Sequence, residues 1–216
     1  PPILPWLRSL ARDLLDLVAP VLCLGCHAPH PPQPPFCDLC RDLLVTADDA
    51  SPDAVVLYEH AGPLVGAIHR AKYDGDPDVA AALGARLLPA LARLPGRFDV
   101  VVPVPLHARR LTERGYNQSA ELARPLGIPI VHDAIERVRD TPTQRKLDRE
   151  ARAANVRGAF RVRDERLIRG RAVLVVDDVV TTGSTLRAVR SCLEEAGAAR
   201  TGALTLARMP LLSARG

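Results

Sequence analysis

Val173-Leu-Val-Val-Asp177-Asp178-Val-Val-Thr181-Thr182-Gly183-Ser184-Thr185-Leu186 is the stretch on which the reading of this chain turns. Its unbroken, β-branched apolar start is the pattern of a strand covered on both faces of a parallel sheet. That run meets two adjacent carboxylates, Asp177 and Asp178, which are expected at the strand end. A loop of small hydroxyl and glycine residues follows, Thr181 to Thr185, and then a helical pattern. Loop hydroxyls, loop N–H groups and the start of the helix would converge on one anion. Carboxylates beside a phosphate cradle suit a sugar whose phosphate sits in the loop and whose hydroxyls face the acids. The plainer reading is an ordinary strand-to-helix connection with Ser184 or Thr185 as N-cap. Both acids, a TTG at fixed offset and a clean preceding strand together favour the phosphate site.

Working outward, strands and helices alternate. Val55–Tyr58 reads as a strand, Pro63–Tyr73 as a helix, and Pro77 to about Leu94 as a long amphipathic helix. A strand at Asp99–Val104, a helix at Asn117–Leu126 and a strand at Ile128–Val131 follow. A weak strand at Ala159–Val162, the strand Ala172–Val176, the helix Thr185–Ala196 and the strand Ala203–Ala207 complete the series. This alternation predicts an α/β fold with a parallel sheet flanked by helices over residues 55–216. Ligands of such sheets sit beyond the carboxyl ends of the strands.

Two further segments fall at those ends. Pro103 and Pro105 force an irregular strand exit, followed by Leu106, His107, Arg109, Arg110 and Arg114. These offer N–H and guanidinium donors of the kind that grip a pyrophosphate. A solvated basic turn capped by Asn117 explains the same residues equally well. The long polar connector 139–157, with Gln144, Arg145 and Lys146, has the length and polarity of a lid. Its competing reading is a solvent-facing helix with acid–arginine pairs.

Four of the five cysteines form C-x2-C-x10-C-x2-C through Cys23, Cys26, Cys37 and Cys40. Two such knuckles complete a closed tetrahedral zinc site, and the five prolines between Cys26 and Cys37 exclude regular helix. Disulfides are disfavoured in a cytoplasmic compartment, whereas His27 and His30 remain alternative ligands. Cys192 stands apart as a core residue. Residues 1–45 are therefore read as an amphipathic helix (Trp6 to Val18) plus a metal module, and 46–54 as a polar connector.

The 216 residues are 47% hydrophobic and 25% charged, as in ordinary globular chains. Aromatics make up only 3%, so the core must be built from Val, Leu, Ala and Ile. A net charge of +4 is compatible with polyphosphate or nucleic acid and selects neither. No segment reaches transmembrane length, so membrane insertion is not expected. Arg8, Arg12, Asp13 and Asp16 interrupt any signal-peptide core, which predicts a cytoplasmic location. The chain opens on Pro1, and a native start upstream of it is expected.

The strand–acid–loop order of Val173–Leu186 resembles the signature of type I phosphoribosyltransferases, which use 5-phosphoribosyl-1-pyrophosphate (PRPP). Together with the cysteine pairs, Lys72-Tyr-Asp-Gly-Asp76, Pro103-Val-Pro-Leu-His107 and Arg114-Gly-Tyr-Asn-Gln118, it resembles the ComF family along nearly the whole chain. That family joins a zinc ribbon to a type I phosphoribosyltransferase domain and is associated with bacterial competence, the uptake and processing of DNA. The resemblance implies that Asp177 and Asp178 face the ribose hydroxyls as the catalytic pair. Thr181, Thr182, Gly183, Ser184 and Thr185 would hold the 5-phosphate. Pro105, Leu106, His107, Arg109 and Arg110 would meet pyrophosphate, with Mg²⁺ accompanying PRPP. Gln144, Arg145 and Lys146 would belong to a catalytic hood. A different class of function stays open: a nucleotide-responsive module that binds single-stranded DNA without turnover through the zinc module and basic segments. A third reading makes the zinc module a docking surface for a competence helicase or uptake partner. No acceptor substrate is fixed by these motifs.

Overall fold

The computed structural model describes residues 21–30, 35–139 and 158–210. The Trp6–Val18 helix and the 140–157 part of the connector, including Gln144, Arg145 and Lys146, lie outside the described residues.

Two nine-residue strands, β6 (Ala172–Val180) and β7 (Arg200–Arg208), run parallel down the middle of the main sheet. Outside them lie β2 (Ala54–Glu59) and β3 (Val100–Pro103), also parallel. The outermost strand, β1 (Thr46–Ser51), is antiparallel to β2, and the order is β1-β2-β7-β6-β3. A separate antiparallel pair joins β4 (Ile135–Arg137) to β5 (Phe160–Val162).

The apolar run Val173–Val176 is fully buried, and its alternate residues feed two cores. Leu174 and Val176 pack with Val101 and Leu204 beneath α2 (Pro63–Tyr73), α3 (Pro77–Gly84) and α6 (Gln118–Ala123). Val173 and Val175 pack with Val100 and Val102 beneath α7 (Ser184–Glu195). Each buried Val or Leu contributes about 1.5–3 kcal/mol before chain entropy is subtracted. Because both faces are used, the strand needs apolar residues at successive positions, which is why its sequence reads as a run.

Several sequence expectations are corrected. Residues 46–51 are a strand, because the polar segment lies on the sheet edge, where a backbone ladder to β2 on one side suffices. The long helix from Pro77 breaks after Gly84 into a 3₁₀ turn, Ala85–Leu87, and the short α4 (Leu88–Leu91). A Cβ at Gly84 would lie 2.2 Å from the Leu122 carbonyl oxygen, so α3 and α6 touch there through backbone. Ile128–Val131 makes one bridge to Val101 and no strand, since Pro129 has no N–H to donate. β6 continues through Asp177 and Asp178 to Val180, because β7 stays in register with it as far as Arg208. The arginine-rich segment after β3 is a helix, α5 (Ala108–Arg114), closed by Gly115 in the left-handed region.

The cysteine module is built onto this body. Cys23, Phe36 and Cys40 are buried in one cluster with Leu64, Ala67 and Ile68 of α2. Cys40 sits on α1 (Asp38–Asp42), and the Arg70 guanidinium of α2 donates to the Leu24 carbonyl. Among the described residues no helix is long and apolar enough to cross a membrane.

Candidate functional site

The extension of β6 places both carboxylates inside the sheet's carboxyl end, not on a free tip. Asp177 is 9% and Asp178 7% exposed. Asp177 Oδ1 accepts from Ser119 Oγ at 3.2 Å and from the Asp178 amide at 3.0 Å. Asp178 Oδ1 accepts from the Val179 amide at 2.7 Å, and its Oδ2 lies 2.7 Å from Lys72 Nζ, at the end of α2. Burial, and then the negative charge of Asp178, push the Asp177 carboxyl up to about 7, with Lys72 opposing. His60 stands near this group just beyond β2; burial, reinforced by Lys72, holds its imidazole below the ordinary value.

Immediately beyond β6 comes the loop that the sequence reading assigns to a phosphate. Gly183 adopts φ 71°, and a side chain there would be strained and would also meet the Arg187 guanidinium at 3.0 Å. Thr182 Oγ1 and Ser184 Oγ are 3.0 Å apart, and α7 starts at Ser184 with no side-chain cap. The plain N-cap reading of Ser184 and Thr185 therefore does not hold. Helix N–H groups and loop hydroxyls are grouped at one place, beside the acids.

The segment after β3 reaches the same end of the sheet. The Val104 amide donates to the Val176 carbonyl at 2.9 Å, so Pro105, Leu106 and His107 start next to the acid pair. His107 bridges to Arg137, and its Nδ1 is buried without a hydrogen-bond partner. Arg109 turns away to Glu113 at 2.9 Å, whereas Arg110 faces a cleft of about 260 Å³. Lys72, Tyr73, Gly75, Glu113 and Arg114 line the rest of that cleft. The Arg114 guanidinium lies 5.2 Å from the Tyr73 ring centroid and donates to Gln118 Oε1 at 2.8 Å. Asn117 caps α6 through the Ser119 amide, as the plainer reading of this segment expected.

Lys72, Ser119 and Tyr116 take structural parts that the residue-by-residue reading left unassigned. Tyr116 ties the segments together, its hydroxyl donating to the Ala71 carbonyl at 2.6 Å, with the Asp76 carbonyl at 3.1 Å. The signal for Lys72 and Tyr116 was their place within KYDGD and RGYNQ; Ser119 had none.

A second constellation lies at the other end of α2's contacts. The four thiols of Cys23, Cys26, Cys37 and Cys40 lie within 4.8 Å of one another. A tetrahedron with Zn–S bonds of about 2.3 Å has sulfur–sulfur edges of about 3.8 Å. Cys26 and Cys37 Sγ are 3.7 Å apart. Burial and the crowding of the other three thiols push Cys40 up to about 12. At Cys23 burial acts upward too, but amide donors of Cys26, Cys37 and Gly25 outweigh it and bring the thiol to about 6. Four crowded sulfurs, with amides already aimed at one of them, form a donor set compatible with structural zinc. His27 and His30 are not members of this group.

A mostly parallel sheet with an acid pair, a hydroxyl- and glycine-rich loop and a basic segment at one end defines a type I phosphoribosyltransferase fold. The phosphoribosyl transferase domain family matches residues 84–211. "DNA utilization protein YhgH" of Escherichia coli (strain K12) is 37% identical over 158 residues, covering 67% of each chain. "Competence protein F" of Haemophilus influenzae is 33% identical over 207 residues, covering 86% of this chain and 90% of that one. "Competence protein ComFC" of Bacillus subtilis is 28% identical over 170 residues, covering 78% and 67%. This chain belongs to the ComF family of phosphoribosyltransferase-domain proteins.

Proposed function

We propose that the chain binds PRPP with Mg²⁺ across the ends of β3 and β6. It transfers the ribosyl 5-phosphate to an acceptor nucleophile with release of pyrophosphate, in the service of DNA uptake or utilisation. The observation that carries this reading is the juxtaposition of Asp177 and Asp178 with the Thr181–Thr185 loop and the start of α7. The loop N–H groups and hydroxyls hold the 5-phosphate, and the acid pair faces the ribose hydroxyls. Pro105, Leu106, His107 and Arg110 meet the pyrophosphate, to which Mg²⁺ brings charge neutralisation. As the bond to C1 breaks, positive charge grows on the sugar, and the fixed carboxylates stabilise it without reorganising. Gln144, Arg145 and Lys146, outside the described residues, help to exclude water and so prevent hydrolysis. Cys23, Cys26, Cys37 and Cys40 hold one structural Zn²⁺, and the protein works in the cytoplasm.

Calorimetry with PRPP and Mg²⁺ tests the assignment. The Asp177→Asn/Asp178→Asn double variant is expected to lose binding by at least about a hundredfold, corresponding to about 2.7 kcal/mol. Unchanged affinity in the folded double variant would overturn it.

A second reading draws on the cleft and on the relatives' names. Lys72, Arg110, Glu113 and Arg114 line it, and Tyr73 is 62% exposed. Cations beside an exposed ring suit single-stranded DNA, gripped through phosphates and one stacked base and handed on by a competence helicase.

A further inference from the structure

The acid pair is not bare. Lys72 reaches it from the last turn of α2, with Nζ 2.7 Å from Asp178 Oδ2, and both side chains are largely buried, 20% and 9% exposed. An ion pair so placed is anchored from its own helix. Arg70 holds the Leu24 carbonyl on one side, and Tyr116 donates to the Ala71 carbonyl next to Lys72. The backbone of α2 is thereby fixed, while the lysine side chain keeps a route outward, because Lys72 also lines the 260 Å³ cleft.

We infer that Lys72 is the resident counter-cation of the acid pair, and that it yields Asp178 to the incoming divalent cation and sugar, turning into the cleft. This inference rests on the phosphoribosyl reading of the site. The physical argument is one of exclusion. An ammonium at 2.7 Å occupies the face of Asp178 from which a hydroxyl or a cation must approach, and like charges cannot share it. Two adjacent buried carboxylates without any cation carry a large desolvation penalty, so the site needs a substitute while it waits. A lysine suits the exchange better than an arginine, since its point charge sits on a flexible stem and makes no bidentate clamp. Lys72 is accordingly a positioning residue, and the geometry of Asp178 depends on it.

The test uses the full-length protein and reads Lys72 directly. The sequence contains only one other lysine, Lys146, so a Lys72→Arg variant assigns the side-chain ammonium signals in a ¹H–¹⁵N spectrum. In the protein without ligand, Lys72 is expected to give a protected ammonium signal. That signal should be lost or strongly shifted when Mg²⁺ and PRPP are added together. In parallel, Mn²⁺ alone is titrated by electron paramagnetic resonance into wild type and Lys72→Met. The methionine variant should bind Mn²⁺ at least about tenfold more tightly, because the competing charge is gone. Lys72→Arg, which keeps the charge, should bind it as weakly as wild type. Equal Mn²⁺ affinity in wild type and Lys72→Met, or a Lys72 signal unmoved by bound Mg²⁺ and PRPP, overturns the exchange. Should Lys72→Met fail to fold, the wild-type spectrum decides alone. Failure of the phosphoribosyl reading is distinguishable: PRPP would then not bind at saturating Mg²⁺, while the Mn²⁺ comparison would still judge Lys72.

Discussion

At the scale of single residues, Asp177 has the most to reveal about the site. Its carboxyl is held up to about 7, first by burial and then by Asp178, against an ordinary value of 3.8. A folded state that keeps its proton to higher pH than the unfolded chain is stabilised, relative to the ionised condition, only while that proton is present. This contribution is whole below about pH 4 and is lost as pH climbs to about 7, after which it levels off. The loss is on the order of a few kcal/mol at its ceiling. Without divalent cations, the urea midpoint of wild type should therefore fall between pH 4 and pH 7 relative to that of Asp177→Asn. Parallel midpoints for the two proteins across that range would show that the carboxyl is not raised. The identity of this residue was plain in the sequence, but its environment was not. Apolar run and acid pair announced a strand end, yet the pairing of Asp177 with Thr205 keeps it inside the ladder, where it is desolvated.

Elements were legible in proportion to how much of their surface they bury. Strands β3 and β6 are covered on both faces and read directly as valine and leucine runs, and the equally buried β7 reads through its centre Ala-Leu-Thr-Leu-Ala. The edge strand β1, written Thr-Ala-Asp-Asp-Ala-Ser, carries no such pattern, because an edge strand has a ladder on one side only. Helix α5 was hidden for the opposite reason: it buries none of its residues, so its arginines look like a loop. Helix α2 was visible as a helix, but its role as a strut was not. It carries Arg70 toward the cysteine module and Lys72 toward the acid pair. That arrangement decides how far the loss of metal should spread. Cys37→Ser removes one of the four proposed zinc ligands and should lower bound zinc well below one per chain, measured by elemental analysis. Because Cys23, Phe36 and Cys40 share a core with Leu64, Ala67 and Ile68, hydrogen exchange should accelerate in α2 as well as in residues 35–44. Full zinc content in Cys37→Ser would refute the four-thiolate site, and acceleration confined to residues 35–44 would refute the strut.

For the molecule as a whole, DNA binding at this end of the sheet can be judged separately from the proposed phosphate binding there. Net charge is only +4, too small for a general polyanion surface, so any DNA affinity must come from local clustering of cations. The cleft supplies three, Lys72, Arg110 and Arg114, with Tyr73 exposed beside them. In the free protein Lys72 is held by Asp178, so Arg110 and Arg114 would give log Kobs against log salt a slope of about −1.4, at roughly 0.7 per contact. Arg114→Ala should make that slope shallower by about 0.7, and Tyr73→Ala should weaken binding by about 1–3 kcal/mol without changing the slope. Neither substitution touches the Thr181–Thr185 loop, so PRPP binding should persist in both. Competition is the sharper test of a shared surface. Lys72 belongs to the cleft and to the acid pair at once, and PRPP with Mg²⁺, by releasing it into the cleft, should steepen the DNA salt slope by about 0.7. If single-stranded DNA does not bind even at low salt, the cleft serves the acceptor or pyrophosphate alone, and the DNA in the relatives' names must be reached through another protein.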